Sequence, residues 1–185
     1  MRFALLLACA ARLGAQQFFP PEGDTSAIDW YTRHLVALKE PSLWELSKKD
    51  PNAEVYRFLY LRSFDSPISI RFVITGDGGR LISKKTGGKG GFETGSLILS
   101  RESRLSKEAT EWFLANLKEV SFWDIPAHGR ASGLDGAEWI VEGVRQGRYH
   151  IVDRWSPDPK DPAHMLGIAM LINLARFRLL YQEVY

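Results

Sequence analysis

The chain has 185 residues, of which 45% are hydrophobic and 25% are charged, and its formal net charge is +2. This composition is that of an ordinary globular protein, and its six Trp residues argue against a disordered chain. The length predicts one domain with its own hydrophobic core. A net charge so close to zero argues against a nucleic-acid-binding protein.

The N-terminus has the pattern of a secretory signal peptide. A positively charged start, Met1–Arg2, precedes an apolar run from Phe3 to Ala11, and the small residues that follow predict cleavage after Ala15. The run is shorter than the about 20 residues that span a bilayer, so no transmembrane helix is expected in the mature chain. We therefore predict a cleavable signal peptide at residues 1–15, a single globular domain at residues 16–185, and export to the periplasm or the extracellular space.

Cys9 leaves an alternative open. The sequence Leu-Leu-Ala-Cys resembles a lipobox, in which the cysteine is acylated, so the alternative is a lipoprotein anchored through Cys9. Cleavage after Ala15 would instead remove Cys9 together with Arg2 and Arg12, leaving 22 basic and 22 acidic residues. The mature chain would then have no disulfide, no thiol nucleophile and no thiolate metal site.

The remaining motifs predict neither a cofactor nor a metal ion. The glycine-rich segment 84–96 lacks the Gly-Lys-Ser/Thr order of a phosphate-binding loop. The four histidines are far apart and show no metal-ligand spacing. No Gly-x-Ser-x-Gly sequence is present to supply the serine of an α/β-hydrolase.

Capping residues and hydrophobic periodicity predict the elements in chain order. A helix begins near Ser26 and ends before Pro41, and Ser42 caps a short second one. Residues 53–64 fit either a helix or a strand, and their aromatic content favours a strand. Further strands are expected at residues 68–75, 80–85 and 96–102.

The C-terminal half is predicted to add two helices and a hairpin. Ser106 caps a helix with an apolar stripe, and Asp161-Pro162 starts a last helix that runs from Ala163 to about Tyr181. Because tight turns join the strands, the predicted class is α+β, with a mostly antiparallel sheet of about five to six strands and three main helices packed on it.

The segment from residue 133 to residue 157 contains the candidate site. With Gln146-Gly147 at a hairpin turn, Val144 pairs with Tyr149 and Trp139 lies opposite Arg154, in position to stack. The other face of the hairpin, expected to be half exposed to solvent, carries the candidate binding residues: Glu138, Glu142, Tyr149, Asp153 and Trp155.

Two functions fit these candidate residues. In a glycan-directed hydrolase, Asp153 and Glu142 would form the acid and base pair, and Tyr149 and Trp155 would form the sugar platform. Carboxylates on a sheet face are more often solvated or paired with Arg than catalytic, so no catalytic residue is assigned. The favoured function is a non-enzymatic binding or interaction module of the cell envelope, with a glycan or a protein as its partner.

The same segment resembles a motif of uncharacterised exported bacterial proteins. The resemblance rests on an Asp-Gly pair, a Trp, a Glu-Gly pair and a closing Arg-Trp-Ser-Pro, preceded by Phe-Trp-Asp-Ile-Pro, and it covers chiefly residues 122–157. It implies a bacterial source and one domain, and it implies no activity.

Overall fold

The computed structural model describes residues 16–22, 25–129, 133–179 and 184–185. The predicted signal peptide, with Cys9, lies outside these residues. None of the helices in the described ranges is long and apolar enough to cross a membrane.

The described residues form four α-helices and six β-strands. The helices are α1 (Thr25–Ala37), α2 (Leu43–Lys49), α3 (Lys107–Glu119) and α4 (Pro162–Ile168). The strands are β1 (Glu54–Arg62), β2 (Ile68–Thr75), β3 (Gly78–Thr86), β4 (Leu97–Leu105), β5 (Ala137–Arg145) and β6 (Arg148–Trp155). A short 3₁₀-helix, Phe122–Asp124, follows α3, and a π-helical segment, Ala169–Leu174, continues α4.

The six strands form one antiparallel sheet in the order β4-β3-β2-β1-β5-β6. The predicted α+β class is therefore confirmed, and residues 53–64 contain a strand, β1, as their aromatic content indicated. β1 lies in the middle of the sheet, and its side chains are buried on both faces.

Helices cover both faces of the sheet. On one face, α3, the 3₁₀-helix, α4 and the π-helical segment pack on a large aromatic core that includes Phe58 and Trp139. On the other face, α1 packs on Leu59 and Ile140, and α2 packs on Val144. Because α1 and α2 lie across the carboxylate-bearing face of the hairpin, Glu142 is fully buried there, whereas Glu138 and Asp153 are partly buried.

The β5–β6 hairpin has the predicted register. Val144 pairs with Tyr149, and Trp139 pairs with Arg154. The backbone φ angles of Gln146 and Gly147 are 52° and 72°, the left-handed values that a two-residue turn of type I′ requires at both central positions. The alternation of side chains between faces is therefore as the sequence predicted.

Trp139 and Arg154 do not stack on each other. The Trp139 ring instead stacks on His164 of α4, with ring centroids 4.7 Å apart. Arg154 donates hydrogen bonds to the carbonyl oxygens of Pro126, at 2.7 Å, and Ala127, at 3.2 Å. Arg154 therefore holds the 126–129 segment along the outer edge of β6.

The last helix is shorter than predicted. Asp161 caps α4 as expected, accepting a hydrogen bond from the Ala163 amide at 2.8 Å. Helical structure ends at Leu174 rather than about Tyr181, since Arg176 adopts a left-handed φ of 53°. A guanidinium from β4, that of Arg101, donates to the freed Ala175 carbonyl and satisfies it.

Candidate functional site

The hairpin and α1 bring three of the site's polar groups together. Glu138 on β5 and Asp153 on β6 point from the same face of the hairpin. Tyr31 projects from α1 onto this face, and its hydroxyl lies close enough to both carboxyl groups to interact with them. A tyrosine from the first helix thus bridges the two acids that the register had placed as neighbours.

Glu138 has a strongly raised pKa. Burial, and to a lesser extent the nearby Asp153 carboxyl group, raise the pKa of Glu138 to about 8. Glu138 is therefore protonated at neutral pH. Because the Tyr31 hydroxyl has one hydrogen, a consistent arrangement has Glu138 donating to Tyr31 and Tyr31 donating to Asp153. Asp153 is then the acceptor at the end of this short hydrogen-bond chain.

His128 completes the surroundings of Asp153. Its Nδ1 atom lies 2.9 Å from Oδ2 of Asp153, and its side chain is 60% exposed. The backbone supports this contact, since the Asp153 amide donates to the Ala127 carbonyl at 2.8 Å and the Gly129 amide donates to the Asp153 carbonyl at 3.2 Å. Asp153 is thus held by backbone and side chain alike.

A cavity of about 230 Å³ lies beside Asp153, between α1 and the hairpin. Its walls are mainly apolar, and Phe19 and Tyr31 meet there edge to face with their centroids 6.0 Å apart. Asp153 and His128 border the cavity, whereas Glu138 is not among its lining residues. The volume is below the about 300 Å³ at which pockets for drug-sized ligands begin, so it accommodates one ring or one short side chain.

Glu142 and Tyr149, two of the predicted site residues, form a separate buried cluster. Glu142 is fully buried, and its Oε2 accepts a hydrogen bond from Arg57 Nε at 2.7 Å. The Tyr149 hydroxyl donates to Glu142 Oε1 at 2.9 Å. Glu142, which the hydrolase hypothesis paired with Asp153, is therefore held by Arg57, and the hydroxyl of Tyr149, the predicted sugar platform, is bonded to Glu142.

The buried charge network continues towards the α1–α2 connection. Arg57 also donates to the Pro41 carbonyl at 2.6 Å. The carboxylate of Glu40 lies 2.7 Å from Arg71 Nε and 2.9 Å from Lys84 Nζ. The network thus ties the connection to four strands of the sheet, which is a structural role.

Trp155, the fifth predicted residue, borders a different groove. This groove has a volume of about 350 Å³ and is also lined by Trp30, Phe92 and Leu134. A Cβ atom on Gly133 would lie 2.5 Å from Nε1 of Trp155, and one on Gly136 would lie 2.8 Å from its ring. The spacing of the two glycines in the hairpin motif is therefore explained by the Trp155 ring that packs on them.

The sequence analysis missed Tyr31 and His128 as site residues. Tyr31 belongs to the apolar stripe of the first helix, where a tyrosine looks like a core residue. His128 is not part of any sequence motif. One signal was available: a tyrosine on an apolar helix face needs a partner for its hydroxyl, and the carboxylates of the hairpin are such partners.

No group of three or more His, Cys, Asp or Glu side chains in the described ranges is placed to hold a metal ion. The cavity is therefore lined by two carboxyl groups, those of Asp153 and Glu22, by the His128 imidazole, by Tyr31 and by apolar walls. No protein-family model matches the sequence, and no curated protein is significantly similar to it.

Proposed function

We propose that the protein is a non-enzymatic binding module of the bacterial cell envelope that takes one sugar ring of an envelope glycan into the cavity beside Asp153. The proposal depends on one observation. The Asp153 carboxyl group and mainly apolar and aromatic walls line a cavity the size of one ring. The resemblance of the hairpin to exported bacterial proteins supports the location.

The chemistry of the cavity matches a sugar. A carboxylate has four lone-pair positions, and Asp153 uses some for Tyr31 and His128, which leaves others for ligand hydroxyls. The apolar side chains of Phe19 and Ile28, which line the cavity, suit contact with the C–H groups of a sugar ring. Asp153 would supply the directed hydrogen bonds, and the walls would supply the apolar contact.

A glycan hydrolase is the second candidate, and Glu138 is the observation that favours it. A carboxyl group with a pKa of about 8 beside a second carboxyl group is the arrangement of a general acid and its partner. Against it, Glu138 does not border the cavity, and a 230 Å³ space does not hold sugars on both sides of a scissile bond. We therefore favour binding over hydrolysis.

Asp153→Asn is expected to weaken sugar binding about 10- to 100-fold, because a hydrogen bond to a charged group contributes about 1.5–3 kcal/mol. Binding would be measured by ligand-observed NMR with N-acetylglucosamine, glucose and galactose, and by the shift in melting temperature. Glu111→Gln is the matched control, since it removes an exposed carboxylate on α3, and it should leave binding unchanged.

Two results would contradict the proposal. If the wild-type protein binds none of these sugars or any longer envelope glycan, the cavity is not a sugar site. If the wild type releases reducing ends from a polysaccharide panel and Glu138→Gln abolishes that turnover without lowering the melting temperature, the protein is a hydrolase.

The same proposal places the mature protein outside the cytoplasm. Mass spectrometry of the protein secreted by a bacterial host is expected to show a chain that begins at residue 16. A chain that begins at an acylated Cys9 would establish the lipoprotein alternative. An intact Met1 in a protein confined to the cytoplasm would contradict export.

A further inference from the structure

The two edges of the sheet differ in whether the chain covers them. At the β6 edge, the 126–129 segment pairs with the strand through the backbone hydrogen bonds of Asp153. At the opposite edge, β4 pairs only with β3 among the described residues. No described residue forms a backbone hydrogen bond with the outer side of β4. The outward amides and carbonyls of β4 are therefore open to a further strand.

The geometry of β4 suits the addition of a strand. It is nine residues long, and its pairing with β3 is regular from Leu99 to Leu105. The register shift lies at the start of the strand, and no proline interrupts it. Every residue from Ser100 to Arg104 is exposed. The regular part of this edge therefore lacks the prolines and bulges that usually block strand addition.

The charged side chains of β4 are self-complementary. Glu102 and Arg104 are two residues apart, so they point to the same face of the sheet. Arg104 lies directly opposite Arg80 of β3, where like charges repel, and it forms no ion pair with any described residue. Glu102 contacts Arg80 through Oε1 at 3.2 Å, which leaves its second oxygen for another cation. An acidic side chain on the open side of Arg104 would offset the repulsion from Arg80.

We propose that a second copy of the chain supplies this acidic side chain, through antiparallel pairing of β4 with β4 of the copy. Directly opposite residues of antiparallel strands point to the same face, so the twofold axis of such a pair passes through one residue of the strand. An axis at Arg101, Glu102 or Arg104 places like charges opposite each other. An axis at Ser103 instead places Glu102 opposite Arg104 of the copy, twice in each dimer. The register that the charges select therefore pairs the two 101–105 segments and joins the two sheets into one.

Charge reversal tests this register. Analytical ultracentrifugation of the wild type at rising concentration is expected to show a monomer–dimer equilibrium. Glu102→Arg and Arg104→Glu should each weaken self-association by about tenfold or more, because two attractive contacts in each dimer become repulsive. An equimolar mixture of the two variants has opposite charges at both contacts, so the mixture should dimerise more tightly than either variant alone. Lys160→Glu is the matched control, since it reverses an exposed charge in the loop after β6 and should leave self-association unchanged.

Hydrogen exchange locates the contact. The outward amides of residues 101–105 should exchange more slowly as the concentration of the wild type rises. A wild type that stays monomeric, or a dimer that both charge reversals leave intact, would overturn the proposal. So would a wild type that stays monomeric and instead pairs this edge with an extended peptide from another protein. None of these measurements involves Asp153, so sugar binding can fail or succeed independently.

Discussion

Arg57→Met is expected to lower the free energy of unfolding by about 3–5 kcal/mol, because it leaves a buried carboxylate without its partner. Arg57 and Glu142 are both fully buried in the middle of the sheet. Burial already raises the pKa of Glu142, while the Arg57 guanidinium and the Tyr149 hydroxyl oppose that increase. Without Arg57 the pKa of Glu142 should rise further, and the carboxyl group should become neutral at the expense of stability.

Urea unfolding followed by tryptophan fluorescence measures this loss. Arg80→Met is the matched control, because the Arg80–Glu102 pair is about half exposed and should contribute less than about 1 kcal/mol. In the double variant Arg57→Met/Glu142→Leu both charges are absent, so the double variant should be more stable than Arg57→Met alone. A loss for Arg57→Met no larger than that for Arg80→Met would show that the buried network does not hold the sheet together.

Trp139→Ala is expected to destabilise the protein by about 3–5 kcal/mol, since it empties the centre of the larger core. Trp139 is fully buried and packs on Phe58, with ring centroids 5.4 Å apart, as well as on His164. Its Nε1 donates to the Tyr185 carbonyl at 3.0 Å, so truncation also leaves that carbonyl without this donor. Both losses weaken the same region of contact between the sheet, α4 and Tyr185.

Thermal and urea unfolding would be compared with Trp112→Ala, which removes a tryptophan that is 42% exposed on α3 and should cost much less. Gly167→Ala tests the same contact from the other side. A Cβ atom at Gly167 would lie 2.6 Å from the Trp139 ring, so the added methyl group should be destabilising in the wild type and tolerated better beside Trp139→Phe. Equal stability of Trp139→Ala and Trp112→Ala would contradict the central role of this ring.

The features that local chemistry determines were predictable from the sequence. The hairpin register follows from the turn at Gln146-Gly147 and the period of two along each strand, and the observed pairs are the predicted ones. Ser42 and Ser106 accept hydrogen bonds from the amides three residues later, as their patterns indicated. These interactions involve neighbours in the chain, so no knowledge of distant segments is needed to predict them.

The partners of the hairpin's polar side chains were decided only by the tertiary structure. Glu138, Glu142 and Asp153 share one face by register, yet Glu142 pairs with Arg57, 85 residues earlier, whereas Glu138 and Asp153 meet Tyr31 of α1. The sequence contained a hint in Arg57, a charge in the middle of an otherwise apolar and aromatic strand, which calls for a buried partner. The identity of that partner depends on the strand order.

The sequence by itself therefore determined the class, the hairpin and the set of side chains on each of its faces. The tertiary structure alone decided that α1 and α2 cover the acidic face. As a result Glu142 forms a buried ion pair with Arg57, and Asp153 lies beside a small cavity. The tertiary structure also decided where the last helix ends, because the guanidinium that donates to the Ala175 carbonyl belongs to Arg101 on β4. In each case the deciding contact joins segments far apart in the chain, and the periodicity of one segment carries no information about what packs against it.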